Sequence, residues 1–110
     1  MPAERYSVVF VTSPSVKEAK DLARALLGAK LAACVNIIKG VHSLFWWQGK
    51  VDECQEALLV IKTKQEDFSR IRTLVERLHS YEVPEVISVS LKDIAPKYRR
   101  WLNANIRTSP

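Results

Sequence analysis

The stretch VHSLFWWQGKVDECQEALLVIKT, residues 41–63, decides the fold. Val41–Trp47 and Val51–Thr63 are β-branched and aromatic runs, and only Gln48, Gly49 and Lys50 separate them. Such spacing predicts a hairpin, with Gly49 free to take the positive φ that a tight turn requires. The returning strand is polar in its first half and apolar in its second. One end of the hairpin therefore roots in a core, and the other stands out as an arm.

The same logic extends outward. LAACVNII (31–38) predicts the strand that feeds the hairpin, with Lys39-Gly40 interrupting it as a bulge. YSVVFVT (6–12) predicts an earlier strand. Between them, Ser15 and Glu18 stand in capping-box spacing, each side chain placed to satisfy a free backbone N–H. Val16, Ala19, Leu22, Ala23 and Leu26 share one helical face, and Gly28 is the expected left-handed C-terminal cap. A second helix is predicted over Glu66–Ser80, with Phe68, Ile71, Leu74, Val75 and Leu78 as its buried stripe. EVISVSL (85–91) predicts a last strand, opening just after Pro84. APKYRRWLNANI (95–106) adds a short terminal helix presenting Tyr98, Trp101 and Leu102, and RTSP (107–110) is expected to be loose. The order β-α-β-β-α-β is the ferredoxin-like arrangement, an α+β fold in a single domain over 1–110. Right-handed crossovers put both helices on one sheet face.

That layout leaves one face of the sheet without helices, yet the strands are apolar on both sides. Val8 and Phe10 oppose Val9 and Val11; Leu58 and Val60 oppose Leu59 and Ile61. Ala33, Val35 and Ile37 oppose Cys34 and Ile38. Trp46 and Trp47 are adjacent, so they face opposite sides, and one helical layer cannot shelter both. Other copies of the chain are the expected cover, making an obligate oligomer.

Composition bounds the function. The chain has 110 residues, 47% hydrophobic and 26% charged, an ordinary globular balance. It contains no apolar run long enough to span a bilayer and no signal-peptide pattern at its start, so a cytoplasmic location is expected, or an organellar one after removal of a targeting segment. The net charge of +5 is spread along the chain, with Lys97, Arg99 and Arg100 its densest point, too small for a nucleic-acid arm. Residues 51–63 carry no aromatic side chain on which bases could stack, which argues further against RNA binding.

Several spaced blocks resemble the CutA family, the divalent-cation tolerance proteins. They are LAACVNI, SLFWWQGKV (43–51), LLVIKT (58–63) and LHSYEVPEVISV (78–89), and the likeness runs from about Val8 to Asn103. The resemblance implies a ferredoxin-like subunit in a tight homotrimer similar to those of PII signalling proteins. It also implies a link to copper and other divalent ions, no established reaction and, in eukaryotic members, acetylcholinesterase anchoring. Recurrent family positions fall on Ala33, Cys34, Asn36, Trp47, Gly49, Lys50, Lys62, Thr63, His79, Tyr81, Glu82, Pro84 and Glu85. The chain departs from the family pattern at Ser80 and Lys39, where prolines are usual, at Phe45 in place of tyrosine, and at Val11, where some bacterial members have cysteine.

The candidate chemistry is sparse. No serine or cysteine is paired with a base, so no catalytic residue is assigned and no enzyme is expected. Copper and its neighbours prefer thiolate, imidazole and mixed N/O donors. The donors available are Cys34, Cys54, His42 and His79. A turn centred on Gln48-Gly49 makes paired numbers sum to about 97, setting Cys34 opposite Thr63 and Cys54 opposite Ser43. The two thiols then lie roughly 30 Å apart and cannot bridge within one chain. His42 falls diagonal to Glu53 on the arm. His79, Glu82 and Cys34 are the candidate metal ligands. Tyr81, Glu85, Lys62 and Trp47 are candidates for a ligand pocket or an inter-subunit seam. The other reading is PII-like small-ligand sensing, with an anion held near Lys62 or Lys64. No cofactor is required by either.

Overall fold

The computed structural model describes residues 5–108, so the first four residues and the end of the RTSP tail lie outside the described residues. Eight elements follow in order: β1 (Tyr6–Ser13), α1 (Val16–Gly28), β2 (Cys34–Trp47), β3 (Lys50–Lys64), a 3-10 turn (Gln65–Asp67), α2 (Phe68–Leu78), β4 (Val86–Ser90) and α3 (Pro96–Asn105). The strands make one antiparallel sheet in the order β2-β3-β1-β4, the ferredoxin-like topology expected from the sequence.

The hairpin turns as its glycine predicts, with Gln48 at φ 49 and Gly49 at φ 78. Positive φ at both central residues matches the turn to the right-handed twist of the strands. The bulge is present between Ile38 and Val41, where Gly40 takes φ 73. Below it the pairing changes by one residue: Cys34 lies opposite Lys62 instead of Thr63, while Cys54 lies opposite Ser43 as expected. A register inferred from the turn alone carries no information about an extra residue further down.

The core lies between the sheet and α1 and α2. Val9, Val11, Leu59 and Ile61 are sealed against Ala19, Leu22, Leu26, Ile71 and Val75. α1 exits differently from the expectation: Gly28 has no positive φ, and the left-handed residue is Lys30, at φ 60. The chain turns two residues later because Ala29 N–H still reaches the Ala25 carbonyl at 3.1 Å and Leu31 N–H the Leu26 carbonyl at 3.0 Å. β2 therefore begins at Cys34, and Leu31 and Ala32 are buried in the connection. α2 is shorter than expected, since residues 65–67 form the tighter 3-10 turn. Leu78 ends it and is half exposed, outside the buried stripe.

A second, smaller core sits beneath α3, where Tyr6, Leu102 and Ile106 pack with Ala33, Leu91 and Ile94. Tyr98 and Trp101 lie on the outer side of that helix at 40% and 44% exposure. Asp67, fully buried, ties this layer down by accepting from the Arg70 and Arg107 guanidinium groups, each at 3.2 Å.

Beyond the end that α3 covers at Tyr6, the second sheet face is uncovered by the described residues. By register, Val8, Phe10, Leu58, Val60, Ile38, Ile87 and Val89 share it, and the last three are at least half exposed. The hairpin arm runs beyond the core, stretching the molecule to 48 × 25 × 22 Å. Both tip tryptophans are uncovered, Trp46 at 75% and Trp47 at 42%.

Candidate functional site

Helix α2 stops at a corner built by His79 and its neighbours. The His79 N–H caps the Val75 carbonyl at 2.8 Å, and the backbone then turns extended. The imidazole is buried and lies 2.7 Å from the Thr12 carbonyl through Nε2. A carbonyl only accepts, so Nε2 carries the proton. Nδ1 accepts from the Tyr81 N–H at 3.0 Å, and the Glu18 carboxylate lies 3.4 Å from the same nitrogen. Both ring nitrogens are thus engaged within the chain. The ring also packs on Tyr81, with centroids 4.8 Å apart.

Glu18 does a different job from the one its spacing suggested. Ser15 Oγ accepts from the Glu18 N–H at 3.1 Å, which is half of a capping box. The Glu18 carboxylate instead reaches across to the corner and accepts from the Ser80 N–H at 3.1 Å and the Ser80 hydroxyl at 3.0 Å. A proline at 80, usual in the family pattern, has neither donor, so this clamp belongs to the serine.

Tyr81 points the other way, toward β3. Its hydroxyl donates to Glu56 Oε2 at 2.9 Å. Glu56 is only 8% exposed, a carboxylate on the same side of β3 as Leu58 and Val60. Burial and then the hydrogen bond to Glu56 hold the Tyr81 phenol well above its usual range. Glu85 joins the group: burial, then the Glu56 carboxylate, pushes its carboxyl up. Burial and Glu56 likewise push up the Cys54 thiol. Tyr81, Glu85 and Cys54 thus hold their protons more tightly around Glu56, an acidic cluster where the uncovered sheet face meets the arm.

The fold does not gather the predicted metal set of His79, Glu82 and Cys34. His79 meets β1 at Thr12, whereas Cys34 lies level with Val8 through Lys62, four residues or roughly 13 Å along the strand. Glu82 is exposed in the link to β4. Among the described residues, no three His, Cys, Asp or Glu side chains converge as a metal cage. Of the predicted seam residues, Tyr81 and Glu85 belong to the acidic cluster. Lys62 lies beside Cys34, with Nζ and Sγ 4.0 Å apart. Trp47 is at the hairpin tip opposite Lys50, six residues or about 20 Å from the Glu56 level within one chain. Sequence reasoning passed over Glu56 and gave Glu18 only a capping role. The signal for Glu56 was available, as a carboxylate in phase with Leu58 and Val60 on a face otherwise apolar.

Sheet order, hairpin arm and corner define a small ferredoxin-like α+β protein whose polar cluster borders an uncovered apolar face. Residues 7–105 match the family model described as CutA1 divalent ion tolerance protein, and the chain belongs to that family. It is 42% identical over 98 residues to the divalent-cation tolerance protein CutA of Thermus thermophilus, covering 89% of this chain and 95% of that one. The chloroplastic protein CutA 1 of Oryza sativa is 43% identical over 102 residues, 93% of this chain but 58% of the rice protein. The solved structure of CutA1 from Oryza sativa superposes with a TM-score of 0.92 at 42% identity, covering 96% of each chain. That of the Thermus thermophilus protein gives 0.89 at 40% identity, over 93% of this chain and 99% of the other.

Proposed function

We propose that the protein acts in divalent-cation tolerance as a homotrimer, binding copper or another divalent ion at the seam between subunits. The observation that carries this reading is the position of Glu56 and Glu85. The two carboxyl groups are close enough for Glu56 to raise the affinity of Glu85 for its proton, at the border of an apolar face that needs a neighbour. A cation arriving there displaces a proton and relieves the repulsion, which oxygen donors favour for hard and borderline divalent ions. The Thermus relative's name, divalent-cation tolerance protein, supports the same direction. The role is binding rather than catalysis, and cytoplasmic residence is part of the reading. The rice relative is named chloroplastic, so fractionation of the source cell tests the compartment.

Titration calorimetry with copper(II) and zinc(II) tests the seam. Wild type should bind with proton release, and Glu56→Gln with Glu85→Gln should weaken binding at least tenfold. Equal affinities overturn the reading. His79→Ala separates the imidazole's two roles: unchanged affinity marks it as structural. A second reading, small-ligand sensing or protein anchoring without a dedicated metal site, is favoured by the engagement of both His79 nitrogens inside the chain.

A further inference from the structure

The other end of the bare face holds a second cluster, independent of the acidic one. Cys34 and Lys62 are direct cross-strand partners between β2 and β3, so their side chains emerge on one face at a spacing the sheet itself fixes. The Lys62 Nζ lies 4.0 Å from Cys34 Sγ, and both residues are half-buried. Burial, and then the nearby Cys34 thiol, push the Tyr98 phenol of α3 up, which places Tyr98 near the same sulfur. Tyr98 itself stacks obliquely on Trp101, centroids 5.5 Å apart. The chain's other thiol has the opposite surroundings: Cys54 sits among Glu56, Asp52 and Tyr81.

We propose that Cys34 and Lys62 form a peroxide-responsive pair, in which oxidised Cys34 is captured by the Lys62 amine as a sulfenamide cross-link between β2 and β3. In the first step the Cys34 sulfur attacks one oxygen of hydrogen peroxide. The O–O bond breaks, water leaves, and sulfur loses two electrons to become a sulfenic acid while peroxide is reduced. The neighbouring ammonium is a donor for the new sulfenic oxygen. In the second step Lys62, after giving its ammonium proton to solvent, attacks the sulfur with its nitrogen lone pair. An S–N bond forms, the S–O bond breaks, and the hydroxyl departs as water with a proton from nitrogen. The sum is thiol plus amine plus peroxide giving sulfenamide plus two waters. A thiol reductant reverses it by attacking the sulfur, returning the amine and, after a second thiol, the free cysteine. In the single chain the pair is half-buried, which leaves room for a molecule close to water in size.

The test is peptide mapping of the assembled protein after hydrogen peroxide, with remaining thiols blocked. Trypsin should yield residues 31–39 joined to residues 51–64, because a linked Lys62 no longer directs cleavage. The joined species should weigh two hydrogens less than the separate peptides, fragment between Cys34 and Lys62, and disappear after dithiothreitol. It should persist in Cys54→Ser. Lys62→Arg keeps the cation without a nucleophilic amine, so there the link should vanish while dimedone labels Cys34. A wild-type protein that gives no joined peptide overturns the proposal. So does oxidation of Cys54 ahead of Cys34, or a Cys34–Cys34 disulfide between copies in place of the lysine link.

Discussion

His79 sits where a helix ends, and its imidazole is spent on two backbone groups from different elements. Replacing it with alanine leaves the Thr12 carbonyl and the Tyr81 N–H without their partner and opens a buried space. His79→Ala should cost about 2–3 kcal/mol in urea unfolding. Glu85 works through protons. Its carboxyl has a raised affinity for its proton in the folded state, so folding favours the protonated form. The sign follows: its contribution is harmless in acid, below the unfolded carboxyl range, and stability falls as pH rises through the folded value. Glu85→Gln should therefore raise the thermal midpoint at about pH 7, and the gain should vanish near about pH 4, where both states are protonated. His79, Tyr81 and Glu85 were legible in the sequence as residues of interest. Their roles were not, because the groups that define them, Thr12, Glu18 and Glu56, lie far away along the chain.

At the scale of the element, turns and apolar runs were readable because their causes are local. Gly49 and the strand alternation on either side of it fix the hairpin without help. Boundaries were less so: α2 starts late because residues 65–67 tighten into a 3-10 turn over buried Asp67, a tertiary demand. The bulge makes a clean local test. No atom crowds a Cβ built at Gly40, so only its φ of 73 excludes a side chain. Gly40→Val should lower stability by about 1–2 kcal/mol through backbone strain alone, measured by urea unfolding. The terminal layer tests an ion pair instead. Asp67 Oδ2 is buried with no hydrogen-bond partner among the described residues, so its Oδ1 contacts matter more. Arg107→Ala should cost about 1–3 kcal/mol and speed amide exchange in α3 ahead of the rest of the chain.

For the whole molecule, the decisive fact is a sheet with one face sealed by helices and the other, beyond the end that α3 covers, left to partly exposed apolar side chains. Alternation in the strands announced this before any coordinates, since a half-solvated sheet alternates with polar residues and this one does not. What covers the face was not legible from one chain, because the partner's contribution is written into the same residues read a second time. Phe10 lies midway across that face, between Val60 and Ile87. Phe10→Glu sets a charge there with nothing to pair it. Light scattering should report a fall from the mass of the proposed trimer to that of a single chain. A trimer retained in Phe10→Glu would contradict the seam on which the proposed function depends.

The bulge at Lys39-Gly40 also acts as a frame shift in space. Below it the even-numbered residues of β2 lie on the bare side; above it the odd-numbered ones do. Root and arm are thus two reading frames joined by one surplus residue. Deleting that residue would turn the distal strand over, exchanging Trp46 with Trp47 and Leu44 with Phe45. Length changes in the distal strand are therefore tolerable only in steps of two, and a family alignment should show its insertions there in pairs.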